Sequence, residues 1–292
     1  MIIFVRKSIY NLFDWMKKIT FVPVGGLANR MRAIASVTTL AEKTHSGLDV
    51  IWFQDWALNA PFSRLFEPIS CVHLSMRNAS LGDFLFCDRP RKHNLFVPRL
   101  FQLFAFDDCI YERSFYSLIK NGFDFEAWMY KKNNVYMASY SAFQQYESDL
   151  ISKLFVPIEE IRHKVNIQSC LFTENVIGVH VRRGDNVWSI EQSPLQLFYE
   201  KLDLEIDNNE RTIIYLATDS EEVKVKMKER YGQRVSFQAN SADRSSVSGI
   251  QDGIVDMYTL AKTKKIYGSF QSSFSEMAAQ ISGIPLEILC RK

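Results

Sequence analysis

The segment from Val176 to Asp185 brings a histidine, two arginines and a carboxylate to the end of an apolar run. Its sequence is Val-Ile-Gly-Val-His-Val-Arg-Arg-Gly-Asp. The run predicts a buried parallel strand, and the charged residues begin at its carboxyl end, where open α/β sheets bind ligands. A guanidinium stays charged and can bind phosphate oxygens as a fork. The segment therefore predicts a phosphate site at Arg182 and Arg183. The alternative is a salt-bridged arginine pair on a solvated surface.

The composition favours a small phosphorylated ligand over a nucleic acid. The chain has 292 residues, of which 47% are hydrophobic and 23% are charged, enough for two domains with substantial cores. Its formal net charge is only +2. No broad cationic field follows from that charge, so anion binding has to come from local clusters, and we expect no nucleic-acid partner.

The cysteines and the N-terminal segment give further expectations. Five scattered cysteines without a Cys-x-x-Cys pair predict neither a disulfide framework nor a zinc site: Cys71, Cys87, Cys109, Cys170 and Cys290. No apolar run is long enough to span a membrane, because charges interrupt the segment 1–18. That segment, rich in apolar and aromatic residues, predicts a helix packed on the protein's own surface or an interfacial helix on an anionic membrane. We expect a location in the cytoplasm or at the inner face of a membrane.

The first half of the chain opens with a predicted βαβ unit. An apolar stretch from Ile19 to Val24 precedes Gly25-Gly26-Leu27-Ala28-Asn29-Arg30, a helical pattern ending at Gly47, and a second apolar stretch at 48–53. The paired glycines allow close backbone approach to a ligand at a helix start, although a plain tight turn explains them too. Residues 54–155 are aromatic with interleaved charges, and we assign no site there. A helix after Pro157 places the domain boundary near residue 165.

The second half alternates regularly between strands and helices. Strands are predicted at 176–181, 212–217, 234–238 and 265–268, with helices near 194–205, 220–230 and 252–263 between them. This pattern predicts a doubly wound parallel sheet. Polar residues follow three of its strands, at His180 to Asp185, at Thr218-Asp219 and at Ser269 to Ser275. Ser272, Ser273 and Ser275 can bind an anion at a helix start, or can merely cap the helix.

These motifs together resemble the fucosyltransferases that share a His-x-Arg-Arg-x-Asp motif, which include α-1,2, α-1,6 and peptide O-fucosyltransferases. The similar segments are His180 to Asp185, Ile214 to Asp219, Ser272 to Ser275 with Ala278-Ala279, and Gly25 to Arg30. Four segments in the family's order extend over both halves of the chain. Ala28, Arg30 and Asn186 depart from the family pattern, and the linkage stays open between the α-1,2 and α-1,6 types.

The resemblance implies an α/β fold of the GT-B type, with two Rossmann-like doubly wound domains facing a cleft. The domains would be an extension at 1–18, an acceptor-side domain at 19–165 and a nucleotide-sugar domain at 166–292. The implied reaction transfers fucose from GDP-fucose to a glycan acceptor, with inversion and without a metal or other cofactor. Two alternatives stay open: the same fold with another nucleotide sugar, and an inactive protein that binds nucleotides or carbohydrates.

The resemblance also implies roles for single residues. Arg182 would stabilise the GDP leaving group, and Arg183 would support the site. His180 and Asp256 would face guanine, and Asn29 would reach the phosphates or the fucose. The remaining donor-binding candidates are Asp219, Ser272, Ser273 and Ser275.

A base for the acceptor hydroxyl is also required if the transfer follows an inverting course. Glu191 follows the arginine motif at nearly the spacing of the family's proposed base, and Asp185 lies nearer to the arginines. A solvated loop glutamate is the alternative interpretation of Glu191. The sequence has no convincing Asp-x-Asp motif to hold Mg²⁺, and arginine would then take the role of a metal.

Overall fold

The computed structural model describes residues 17–184, 187–239 and 245–291. The predicted N-terminal segment, apart from its last two residues, and Asp185 therefore lie outside the described residues. The chain divides into two compact units. The first contains residues up to Val24, Arg32–Phe53 and Ile69–Tyr146, and the second contains Gly25–Met31, Gln54–Pro68 and the chain from Glu147 onward.

The first unit begins with the predicted βαβ arrangement. Strand β1 (Lys18–Pro23) leads into helix α1 (Leu27–Lys43), which is followed by the parallel strand β2 (Gly47–Trp52). The turn between β1 and α1 needs Gly25, whose φ is 84°. Gly47 was predicted to end the helix, and this detail is wrong. The helix ends at Lys43, His45 adopts the left-handed conformation, and Gly47 already pairs with Lys18 in the sheet.

The rest of the first unit comes from the region whose elements the sequence did not predict. Its elements are β3 (Leu74–Asn78), α2 (Leu81–Phe86), α3 (Val97–Ala105), β4 (Asp108–Ile110), α4 (Glu112–Lys120), α5 (Phe125–Tyr130) and β5 (Asn134–Ser139). The five parallel strands have the order β3-β2-β1-β5-β4. β3 and β4 are short and only partly buried, so they lack the continuous apolar run that identifies a central strand.

The second unit contains the predicted doubly wound sheet. Its elements are α6 (Leu150–Leu154), α7 (Glu159–Ser169), β6 (Val176–Val181), α8 (Val187–Gln192), α9 (Leu195–Asn208), β7 (Ile213–Thr218), α10 (Glu221–Tyr231), β8 (Val235–Ser236), α11 (Val247–Leu260), β9 (Ile266–Ser269), α12 (Ser273–Ser282) and β10 (Leu286–Leu289). The strand order is β10-β9-β6-β7-β8, and every pair is parallel. The chain winds from β6 to one edge and then returns to the other side of β6. The topological switch point, where open sheets bind ligands, therefore lies between β6 and β9.

Burial explains why β6 is uncharged. All six of its residues are buried, and Val179 and Val181 pack in a core with Ile214 of β7 and Phe198 of α9. Gly178 is required because a Cβ there would lie 2.8 Å from Thr263 Oγ1 and 2.9 Å from a methyl carbon of Leu260. The strand is thus fixed in position against the end of α11.

The boundary between the units differs from the predicted one at residue 165. Helix α7 packs on α11 and belongs to the second unit, whose longest segment begins at Glu147. Residues 54–68 belong to the same unit. The carbonyl of Arg64 in this segment accepts a hydrogen bond from the amide of Gln251 on α11 at 2.8 Å. Among the described residues, none of the helices has the length and apolar character needed to cross a membrane.

Candidate functional site

A pocket lies in the second unit beside the carboxyl ends of β6 and β7. It is lined by Gly26, Leu27, Ala28, Asn29, Ala57, Leu58, His180, Arg182, Ala217, Thr218, Asp219, Gly249, Ile250, Gly253, Asp256, Ser273 and Phe274. Its cavity volume is about 190 Å³, roughly ten times the space that one water molecule needs. The pocket can therefore admit an organic group, and it contains six of the predicted site residues: Asn29, His180, Arg182, Asp219, Asp256 and Ser273.

The strand ends at the switch point are joined by serine hydroxyls. Ser269, the last residue of β9, donates to the carbonyl of His180 at 3.2 Å and accepts the backbone N–H of Arg182 at 3.0 Å. Ser272 Oγ lies 3.2 Å from His180 Nδ1, and the His180 ring stacks on Phe274 with centroids 4.7 Å apart. These contacts fix the imidazole and the start of the arginine loop.

The buried imidazole of His180 is neutral at physiological pH. Burial lowers its pKa to about 4, and the positive charge of Arg182 acts in the same direction while Asp219 opposes it. A neutral imidazole has one donor and one acceptor nitrogen. His180 can therefore contact a polar ligand without adding a charge to the pocket.

The two arginines have different surroundings. Arg182 lines the pocket. The Arg183 guanidinium instead donates to the carbonyl of Arg182 at 2.8 Å and to that of Ser193 at 3.0 Å, and burial lowers its pKa. Arg183 thus holds the loop that presents Arg182 and is not among the residues that line the pocket. The supporting role that the resemblance implies for it stays a prediction.

Asp219 anchors the same loop from the end of β7. Its two carboxylate oxygens accept the backbone N–H groups of Arg183 at 2.7 Å and of Gly184 at 3.0 Å. A Cβ at position 184 would lie 2.8 Å from Asp219 Oδ2, so the close approach requires glycine. Asp219 lines the pocket, but its carboxylate already serves the loop. This role was missed in the sequence, where Asp219 was assigned only to the donor.

Asp256 is a buried carboxylate in the wall of the pocket. Its Oδ1 accepts the hydroxyl of Tyr215 at 2.7 Å and the amide of Gln238 at 2.5 Å. Burial raises its pKa to about 6, although the two hydrogen bonds act in the opposite direction. Burial makes the ionised form of this carboxyl energetically costly. The ionised carboxylate is therefore a strong hydrogen-bond acceptor for a ligand that offers N–H groups.

The start of α1 forms another part of the wall. Gly26 to Asn29 line the pocket, and the close approach of their backbone to a ligand stays a prediction. Arg30, noted only as a departure from the family pattern, is fully buried; its Nε donates to the carbonyl of Gly25 at 2.8 Å and its Nη2 contacts Asp55 Oδ1 at 2.9 Å.

The buried Arg30–Asp55 ion pair joins two segments of the pocket wall. Asp55 Oδ1 also accepts the backbone N–H of Ala57 at 3.0 Å and of Leu58 at 3.3 Å, and both of these residues line the pocket. Arg30 is thus a positioning residue that sequence reasoning missed. An arginine in the first turn of the helix that follows the glycine turn was the available signal.

The three predicted serines have different surroundings. Ser273 lines the pocket, whereas the Ser272 hydroxyl is used by His180. Ser275 is buried outside the lining; its hydroxyl donates to the carbonyl of Ser272 at 3.1 Å, and it packs against Gly268, where a Cβ would lie 2.5 Å from Ser275 Oγ. Of the three, only Ser273 is placed to meet a ligand in this pocket.

Of the two predicted bases, the structure describes only Glu191. Glu191 is exposed on α8 and does not line the pocket, and Asp185 lies outside the described residues. Both assignments stay predictions.

One group of described side chains has the ligand types and spacing to hold a metal ion. Glu42, Cys71 and His73 in the first unit bring their ligand atoms within 4.8 Å of one another, and Glu42 is exposed. None of them lines the pocket. All five cysteines are free in the structure.

Comparisons with known proteins show the fold. No protein family model matches the sequence, and no curated protein does. NodZ α-1,6-fucosyltransferase soaked with GDP-fucose matches with a TM-score of 0.64 at 17% identity, over 91% of this chain and 92% of that chain. Fucosyltransferase NodZ from Bradyrhizobium gives 0.61 at 17%, over 90% and 92%. POFUT1 in complex with GDP-fucose gives 0.58 at 13%, over 94% and 99%. The two parallel five-stranded sheets with their helices thus confirm the predicted α/β fold of the GT-B type.

Proposed function

We propose that this protein is a glycosyltransferase that transfers fucose from GDP-fucose to a glycan acceptor, with inversion and without a metal ion. The observation that carries the proposal is the pocket at the β6/β9 switch point, which is lined by both Arg182 and the buried carboxylate Asp256. Two proteins of the same fold, NodZ and POFUT1, have solved structures with GDP-fucose.

The base specificity of the donor site depends on Asp256. Guanine offers N–H donors at N1 and N2, and a carboxylate accepts both, whereas uracil, cytosine and adenine do not present this pair of adjacent donors. Tyr215 and Gln238 already fix Oδ1 in place, so the carboxylate does not have to reorganise when the base arrives. Neutral His180 adds a polar contact in the same pocket.

The catalytic contribution comes from Arg182. Negative charge grows on the pyrophosphate as the glycosidic bond breaks, so a fixed guanidinium stabilises the transition state more than the ground state. The loop that carries Arg182 is held by Ser269, by the Asp219 carboxylate and by the Arg183 guanidinium. This arrangement orients the cation before the donor binds. A metal ion is not needed for charge neutralisation if arginine supplies it.

The acceptor hydroxyl would lose its proton to Glu191 or to Asp185. Glu191 is solvent-exposed on the short helix that follows the arginine loop, where an acceptor can reach it. Replacing each carboxylate by its amide tests the choice. Replacing the residue that acts as the base should reduce transfer about 100-fold or more. The same replacement should leave GDP affinity unchanged.

The donor assignment is tested by thermal shift and calorimetry with GDP, UDP, CDP and ADP. GDP should raise the melting temperature most, and Asp256→Asn should remove that preference. Asp252→Asn is a matched control, because Asp252 lies one turn earlier on α11 and does not line the pocket. Equal stabilisation by all four nucleotides would refute the guanine assignment.

Activity assays separate the remaining alternatives. Hydrolysis or transfer of GDP-fucose in excess EDTA supports the full proposal, and activity that needs added Mn²⁺ or Mg²⁺ refutes its metal-free part. Turnover of a different GDP-sugar in place of GDP-fucose indicates another donor. GDP binding without any turnover indicates an inactive binding protein.

A further inference from the structure

Apolar side chains are unusually exposed on α2, on α3 and on the loop between them. Of the large hydrophobic residues that are exposed in the described chain, eleven lie between Leu81 and Phe104, all within the first unit. We call these exposed residues the α2–α3 surface. Single exposed hydrophobic residues are ordinary, but a dense group of this kind marks a surface that binds something apolar.

Helix α3 exposes its apolar face to solvent, unlike an ordinary surface helix. Its buried residues are Pro98 and Gln102, and the Gln102 amide donates to the carbonyls of Phe86 at 3.2 Å and Asp88 at 3.0 Å. Leu103 and Phe104, by contrast, are 59% and 93% exposed. A helix normally turns its apolar face toward the core. Here the polar side chain fastens the helix to the protein, and the apolar face points outward.

The two helices form a continuous surface. The rings of Phe86 on α2 and Phe101 on α3 pack together with centroids 4.5 Å apart, and both side chains remain partly exposed. The apolar area is therefore shared between the helices.

The two acidic residues of the stretch, Asp83 and Asp88, are buried and paired with Arg77 and Arg91, so its exposed charges are positive. From Arg89 to Phe106 the sequence has four arginine and lysine residues and no acidic residue. Arg89 and Arg91 form ion pairs with Glu112 and Asp88, whereas Lys92 and Arg99 are exposed among the apolar side chains.

The carboxylates that follow α3 are engaged elsewhere. Asp107 accepts the backbone N–H groups of Asn133 at 2.7 Å and Asn134 at 3.0 Å, and Asp108 accepts from the Trp128 indole at 3.0 Å. They do not neutralise Lys92 and Arg99 by direct pairing.

We propose that the α2–α3 surface binds the protein peripherally to an anionic lipid bilayer. Aromatic and aliphatic side chains of such a surface enter the boundary between headgroups and acyl chains, and exposed cations are attracted to anionic headgroups. Lys92 and Arg99 supply the cations, and Leu103 and Phe104 supply the deepest apolar contacts. A second copy of the chain is a poorer occupant, because symmetric self-association would bring the cations of this surface together.

The proposal is tested by sedimentation of the full chain with vesicles. One set contains phosphatidylcholine alone, and the other contains about a third phosphatidylglycerol. Wild type should bind the anionic vesicles at least about 10-fold more strongly and should lose binding in high salt. Leu103→Asn with Phe104→Asn should weaken binding about 10-fold or more. Lys92→Glu with Arg99→Glu should remove the preference for anionic vesicles.

Matched controls are available in the second unit. Leu171 is 86% exposed, so Leu171→Asn removes an exposed leucine outside the surface, and Lys262→Glu reverses an exposed charge there. Both controls should bind vesicles like wild type. Circular dichroism and thermal melting verify that each variant folds. As an independent measurement, Phe104→Trp should add fluorescence that brominated lipids quench.

Two results would overturn the proposal. One is vesicle binding that is equal in wild type and in both surface variants. The other is a wild-type dimer that does not bind vesicles and becomes monomeric when Leu103 and Phe104 are replaced. Neither measurement involves a nucleotide sugar, so the outcome is independent of the proposed enzymatic function.

Discussion

Replacing Asp256 by asparagine should make the protein more stable at neutral pH and a poorer binder of GDP. The side chain is buried on α11 and accepts hydrogen bonds from Tyr215 and Gln238. An asparagine oxygen can accept the same two bonds. The substitution therefore removes a buried negative charge and keeps its shape and its hydrogen-bond partners.

The magnitude follows from the carboxyl pKa, which is about 6 in the folded protein against a usual value of 3.8. This difference corresponds to about 3 kcal/mol, since one pKa unit is worth about 1.4 kcal/mol. Well below pH 3.8 the carboxyl is protonated in both the folded and the unfolded chain. As the pH rises from 3.8 to 6 the unfolded chain ionises first, so folding loses stability. Well above pH 6 the loss is complete at up to about 3 kcal/mol.

Denaturant unfolding of wild type and Asp256→Asn at several pH values measures this effect. The variant should be more stable at pH 7 and above, and its advantage should disappear as the pH falls toward 4. Burial lowers the pKa of His180, which destabilises the fold in acid, but this contribution is common to both proteins and cancels in the difference. A difference in the free energy of unfolding between Asp256→Asn and wild type that does not change with pH would refute the reasoning.

The same substitution should impair the ligand site. Loss of a charged acceptor should weaken GDP binding by about 1–3 kcal/mol. In wild type, GDP affinity should be constant above pH 7 and should fall below pH 6, because protonated Asp256 can no longer accept from both guanine donors. If calorimetry gives equal GDP affinity for Asp256→Asn and wild type, Asp256 is a structural residue only.

Three further substitutions test the neighbourhood of Asp256. Arg182→Lys keeps a cation but loses the planar fork, so fucose transfer should fall about 100-fold or more while GDP affinity falls less; a normal rate would exclude this arginine from catalysis. Asp219→Asn removes one of the two carboxylate oxygens that accept the loop N–H groups, so the variant should have both a lower turnover and a lower melting temperature. A change in turnover alone would indicate direct contact between Asp219 and the donor. Arg30→Met leaves buried Asp55 without its cation, which should destabilise folding by about 3 kcal/mol or more in denaturant unfolding; wild-type stability would show that the ion pair is dispensable.

Local sequence patterns predicted the skeleton of the site. The uncharged run of β6, the glycine turn before α1 and the regular alternation of the second half are features of neighbouring residues. They predicted the doubly wound sheet of the second unit and four of its five strands, but not the edge strand β10. They also placed His180 and Arg182 at a ligand-binding sheet edge, because parallel strands end together. Residues 54–155 resisted the same reasoning, since β3 and β4 are short and half-exposed.

The surroundings of individual side chains were decided only by the tertiary structure. Arg182 and Arg183 are adjacent and chemically identical, yet one lines the pocket while the other is fixed by the Ser193 carbonyl. Ser273 and Ser275 differ in the same way. The sequence supplies residue types and their local period, which determine strands, helices and the edge where charges gather. Side-chain partners come from segments far apart in the chain, so the direction of each side chain is settled only when those segments pack together.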